Sequence, residues 1–104
     1  MKRDKILVIV KEPGEAARIE NSFPNTLEAM QEQVGGPIEA VTLATDVVII
    51  CNEEGRLMGL KPNTTVCGVD FVGSIIVAGV SGEDFASLKA AHVPLLMRMV
   101  NGGK

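Results

Sequence analysis

The side chains best suited to chemistry gather in one short stretch, Cys51-Asn52-Glu53-Glu54-Gly55, where a thiol, a carboxamide and two carboxylates follow one another. A cysteine nucleophile needs a nearby base or cation to hold it as thiolate. The one histidine, His92, lies about forty positions downstream of Cys51. Cys51 closes the run Val47-Val48-Ile49-Ile50, and a free cysteine in such a setting behaves as a small buried hydrophobe; Cys67, between Val66 and Gly68, reads the same way. Glu53 and Glu54 are adjacent, and adjacent side chains in a turn diverge into water, whereas an acid–base pair needs carboxyls that converge on one substrate. Asn52 can bond its own turn backbone. The stretch is therefore expected to be a turn and a contact surface, and the chain not to be an enzyme. An activity based on Cys51 or on Glu53 and Glu54 is the third reading.

Other chemistry finds less support. One histidine and no recognisable ligand set leave no metal site to expect. Gly68-Val69-Asp70-Phe71-Val72-Gly73 and Gly79-Val80-Ser81-Gly82 lack the strand–glycine loop–helix context that cradles phosphate, so no cofactor is expected. Cys51 and Cys67 stand without a CxxC motif or a secretory leader and are expected to be reduced.

Bulk composition narrows the partner. A chain of 104 residues with 46% hydrophobic content makes one core, hence a single domain over residues 1–104. Net charge of −3, with ten scattered Lys and Arg, argues against nonspecific nucleic-acid binding. Trp and Tyr are absent and Phe occurs three times, which leaves little for base stacking. No apolar stretch approaches about 18 residues, so a membrane span is not expected and the chain reads as cytoplasmic.

The elements that must position the turn follow from periodicity. Residues 5–11, KILVIVK, predict a buried strand ended by Pro13-Gly14. EAARIENSF suggests a half-exposed strand or connector. Asn25 as cap and Glu28 three residues on predict a capped helix over about 26–34, with Leu27, Met30 and Val34 on its buried face and Gly35-Gly36 as its stop. Residues 37–43 alternate as a strand whose buried face is undecided, and Val47 to Cys51 predict an interior strand. Asn52 to Gly55 then predict a hairpin turn with Arg56 to Leu60 returning as a strand, and Lys61-Pro62-Asn63 a break. Glycines 68, 73 and 79 suggest bends or close backbone approach, with Phe71 to Ala78 the last strand. Ser81 to Asp84 read as a connector and Phe85 with Leu88 as anchors of a short helical turn. Pro94 belongs in the first turn of a C-terminal helix over about 93–100, closed by Asn101-Gly102-Gly103. Its Leu95, Leu96, Met99 and Val100 are core or a covered patch. The fold class is α+β: about five strands in a mixed or antiparallel sheet with these two helices.

The segments ILVIVKEPG, IENSFPNTLEAMQEQVGGPIE, VIICNEEGRLMGLKPN and VGSIIVAG together resemble the family catalogued as domain of unknown function 3846, over roughly residues 6–88. The most specific piece is the Cys51 to Gly55 turn followed by Leu57, Gly59, Leu60, Pro62 and Asn63; the segment KAAHVPLL departs from the pattern. The resemblance implies a protein of bacteria, their phages and conjugative elements, one that binds or inhibits a host defence component. It supplies no catalytic residue.

The preferred reading is thus a non-catalytic binding protein whose surface comprises Asn52, Glu53, Glu54, Gly55, Arg56, Lys61 and Asn63, because loops held by a rigid hairpin present polar groups reproducibly. Its partner would be a host or element-encoded protein, and a homodimer is expected as the commonest assembly. The alternative is a small, nucleotide-like ligand bound between subunits where the glycines let it approach the backbone.

Overall fold

Over residues 47–52 and 75–79 every residue is buried, but neighbours are buried in opposite directions, and this decides the architecture. The computed structural model describes residues 4–102. Its elements run β1 (Lys5–Lys11), β2 (Arg18–Pro24), α1 (Leu27–Val34), β3 (Ile38–Ala44), β4 (Val47–Asn52), β5 (Pro62–Val66), β6 (Val69–Val72), β7 (Ile75–Ser81), β8 (Asp84–Ala86), a 3-10 turn (Ala90–His92) and α2 (Val93–Val100). The fold is α+β. The main sheet has the order β2-β1-β7-β4-β3, with β8 also on β7, and all its pairings are antiparallel. Strands β5 and β6 form a separate two-stranded ribbon.

Val47, Ile49 and Cys51 of β4 face one core with Ile75 and Val77 of β7, while Val48 and Ile50 face a second core with Ile76 and Ala78. Helix α1 closes the second core through Met30 and Val34; α2 and the ribbon close the first through Leu96, Val100, Val66 and Phe71. A sheet covered on both faces explains why the apolar run of β4 is unbroken. Truncating fully buried Ile76 to Ala would cost about 2–5 kcal/mol through lost burial and the cavity left behind.

Local details depart from the sequence-based expectations. The cap of α1 is Thr26, whose Oγ1 accepts the Ala29 N–H at 3.1 Å. Asn25 is buried and its Nδ2 donates instead to the Phe85 carbonyl at 3.0 Å, a tertiary partner that takes the carboxamide away from the helix end. Leu27 is exposed, so the buried stripe begins at Met30. Residues 81–84 connect β7 tightly to the short strand β8 as expected, but Phe85 lies in β8 and not in a helical turn; that turn comes later, at Ala90–His92.

The largest correction concerns the segment after β4. Arg56 to Leu60 do not return as a strand, because both edges of β4 are already taken, by β3 and by β7. The chain coils instead: the Met58 N–H bonds the Glu54 carbonyl at 2.9 Å and the Leu60 N–H the Gly55 carbonyl at 3.0 Å. Pro62 and Asn63 then open β5 where a break was expected, and residues 71–78 are split at Gly73, whose φ of 72° turns β6 away from β7.

In α2, Pro94 occupies the first turn as expected, Leu96 and Val100 enter the core and Leu95 stays exposed. Asn101 Oδ1 accepts the Ala17 N–H at 2.9 Å and Gly102 takes the left-handed conformation; Gly103 lies outside the described residues.

Candidate functional site

The coiled segment and the β5–β6 ribbon wall a groove of 510 Å³ beside the end of β4. Val41, Cys51 and Phe71 supply its apolar surface, Glu39, Glu53 and Asp70 its carboxylates, and Arg56 and Leu57 complete the lining. Alternation along β3 puts Glu39 and Val41 on the same side, and the coil brings Glu53 and Arg56 against the ribbon. The Arg56 Nη2 donates to the Asp70 carbonyl at 2.7 Å, and Asp70 Oδ1 accepts the Thr65 hydroxyl at 2.5 Å. Three carboxylates thus share the lining with one guanidinium that a backbone carbonyl already holds. Leu57, 90% exposed, stands at the rim, uncovered among the described residues.

The coil is anchored from beneath. Asn52 is buried; its Nδ2 donates to the Val34 carbonyl at 3.1 Å and its Oδ1 accepts the Glu54 N–H at 2.8 Å. Gly55 is required by space, since a Cβ there would lie 2.9 Å from Val72 Cγ2. The Glu53 N–H reaches the Pro37 carbonyl at 2.8 Å, so the start of the coil is also fixed to the residue that leads into β3.

The thiol of Cys51 is not prepared for nucleophilic attack. Burial first, and the negative charge of Glu39 second, push it above the ordinary thiol range, which disfavours thiolate. His92 lies elsewhere: with Cys67 it lines a second cleft, of 250 Å³, walled by Leu43, Val47, Leu95 and Met99. Cys67 itself is exposed, contrary to expectation, because it sits with φ of 50° beside Gly68 at the tip of the β5–β6 hairpin, a two-residue turn that needs positive φ at both positions. On the rim of this cleft Lys89 Nζ pairs with Asp46 at 3.0 Å and holds its carboxyl below the usual range. Among the described residues no three His, Cys, Asp or Glu side chains group as metal ligands.

Against known proteins, a family model described as a domain of unknown function (DUF3846) matches residues 3–101, nearly the whole chain. The chain belongs to this family. The match runs through the C-terminal segment that the motif resemblance had set apart. No curated protein and no solved structure matches it.

Within this DUF3846 domain the residues singled out from sequence divide. Asn52, Glu53 and Arg56 meet in the groove, although Asn52 is buried and presents no carboxamide to a partner. Gly55 is likewise buried beneath it, and Glu54 and Lys61 are exposed but do not line it. Asn63 is structural: its Nδ2 donates to the carbonyls of Lys11 at 2.8 Å and Gly73 at 2.7 Å, and its Oδ1 accepts from the buried Lys11 ammonium at 3.0 Å. Sequence reasoning missed Glu39, Asp70 and Phe71. The one signal available was that Glu39 alternates with Ala40, which placed its carboxylate on the side of Val41 but not beside Glu53. Two of the three glycine spaces that suggested a ligand are filled by the chain: a Cβ at Gly79 would meet the Ser87 carbonyl and one at Gly73 the Leu60 side chain, whereas Gly68, with nothing within 4 Å, serves the β5–β6 turn.

Proposed function

We propose that the chain is a non-catalytic binding protein, and that it takes a protein partner with a basic surface at the groove beside the Asn52 to Leu60 coil. The observation that carries this reading is the pairing of Leu57, 90% exposed, with the carboxylates of Glu39, Glu53 and Asp70 around an apolar floor. An exposed leucine beside an apolar floor can anchor a partner, and three carboxylates against one guanidinium attract and steer an oppositely charged one. Phosphate-bearing ligands would meet repulsion there. The family resemblance supplies the setting: a phage or mobile-element protein acting in the cytoplasm of a bacterial host on a host defence component. No helix among the described residues is long and apolar enough to cross a membrane.

The test is affinity capture from the bacterial host with wild-type chain, Glu53→Lys and Leu57→Ala in parallel. A partner held by the wild type, released by both variants and weakened by salt supports the reading. A partner retained equally by all three places binding on another surface.

A further inference from the structure

The groove is one end of a longer feature, and this inference rests on the reading of the groove as a binding site for a basic partner. Strand β3 is one edge of the main sheet: among the described residues β4 is its sole strand partner, and Ala40, Thr42 and Ala44 are exposed. The other face of β3 carries Glu39, Val41 and Leu43 in alternation, the last two half-buried against the first core. Glu39 and Val41 line the acidic groove, whereas Leu43 lines the apolar cleft with Leu95 and Met99. Val69 at 40% exposure and Leu95 at 61% join Leu57 around these two clefts. An acidic site and an apolar site therefore lie at opposite ends of one edge strand.

A free strand edge offers every second N–H and C=O to another chain. Pairing is regular over Ile38 to Thr42 and shifts register between Thr42 and Ala44, which leaves the first five residues of β3 as the usable edge. Leu43 stands four positions beyond Glu39, about 13 Å along a strand. We infer that β3 receives an extended segment of the partner as a seventh, antiparallel strand, with an apolar side chain in the Leu43–Leu95 cleft and, four residues later, a Lys or Arg against Glu39 and Glu53. Antiparallel direction follows from the sheet, in which every pairing is antiparallel, and from the better hydrogen-bond geometry of that arrangement. Backbone pairing gives affinity and the two clefts give register, as in other strand-addition complexes.

The probe is the labelled peptide Ac-Thr-Leu-Thr-Val-Thr-Lys-Thr-NH2, compared with Ac-Thr-Leu-Thr-Val-Lys-Thr-Thr-NH2, which sends the ammonium to the opposite face, and with Ac-Thr-Lys-Thr-Val-Thr-Leu-Thr-NH2, which reverses the order. Fluorescence anisotropy reads binding, and hydrogen exchange reads protection of the amides of residues 38–42. The first peptide is expected to bind at least about tenfold more tightly than either control, to slow exchange in β3, and to weaken about tenfold with Glu39→Lys or with Leu95→Asp, both at exposed positions. Equal binding of the three peptides, or binding without protection of β3, overturns strand addition and leaves the groove reading standing. Absence of binding overturns the inference, while the capture experiment still decides the groove. A free chain that light scattering shows to be a dimer, with β3 already protected, makes a second copy the occupant and also overturns it.

Discussion

Asn52 Nδ2 lies 3.1 Å from the carbonyl oxygen of Val34, so a side chain at the end of β4 closes the C-terminus of α1. The same carboxamide accepts the Glu54 N–H at 2.8 Å and starts the coil that walls the groove. Helix, sheet and groove are thereby joined through one residue.

Replacing Asn52 with Ala leaves a buried carbonyl and an amide without partners, each worth about 1–3 kcal/mol. The expected loss is about 2–4 kcal/mol of unfolding free energy, read as a lower urea midpoint. Glu53→Ala, exposed at the rim, should stay within about 0.5 kcal/mol of wild type while weakening the groove's hold on a basic partner.

Gly79 sits where β7 meets the end of β8, and a Cβ there would lie 2.4 Å from the Ser87 carbonyl oxygen. Backbone cannot swing aside as a side-chain tip can. Gly79→Ala should therefore lose more than about 3 kcal/mol or fail to fold, whereas Gly14→Ala, with φ of 78° and nothing within 4 Å, should lose only about 1 kcal/mol of backbone strain. Thermal unfolding of the two variants tests the contrast.

The two thiols should differ in reactivity. Cys67 is exposed and should react with a disulfide reagent in the folded state, while Cys51 should react only slowly. Because burial and Glu39 raise its pKa, the folded state retains that proton more strongly than the unfolded chain. This contributes no pH-dependent change below the ordinary thiol range and destabilises the fold as pH rises through it. Glu39→Gln should shift the Cys51 alkylation profile toward lower pH. An unchanged profile would show that burial alone sets it.

Lys11 is buried with its ammonium on the Glu12 carbonyl at 3.1 Å and Asn63 Oδ1 at 3.0 Å. Asn63→Ala removes three hydrogen bonds at once and should cost about 3 kcal/mol, because it leaves a buried charge poorly solvated. Adding Lys11→Met should recover part of that loss, giving a coupling of about 1 kcal/mol or more in a double-mutant cycle read by urea denaturation. Additive losses would mean that Asn63 acts only through the Gly73 and Lys11 carbonyls.

Much of the secondary structure was legible because period and punctuation are local. The strand over 5–11, the interior strand from Val47, the helix stop at Gly35 and Pro94 at the start of α2 each depend on a few neighbouring residues, and each stands where the chain's own pattern puts it. The thiol of Cys51 also lies in the core, as its apolar run implied. The helix cap was misplaced by one residue, since Asn25 and Thr26 are both good caps and only the distant Phe85 carbonyl decides between them.

The sequence by itself determined the strand over 5–11, the interior strand from Val47, the two helices, and that an acidic turn follows Cys51. Tertiary structure alone decided that Arg56 to Leu60 coil, because whether β4 has a free edge depends on β3 and β7, the latter more than twenty positions away along the chain. It also decided that Glu39, Glu53 and Asp70 share one groove and that Asn63 serves Lys11, 52 residues distant, in place of a partner. Periodicity tells a side chain which face of its own element it occupies. Which other face it meets is fixed by strand order, and strand order is set by long-range pairing that no local pattern encodes.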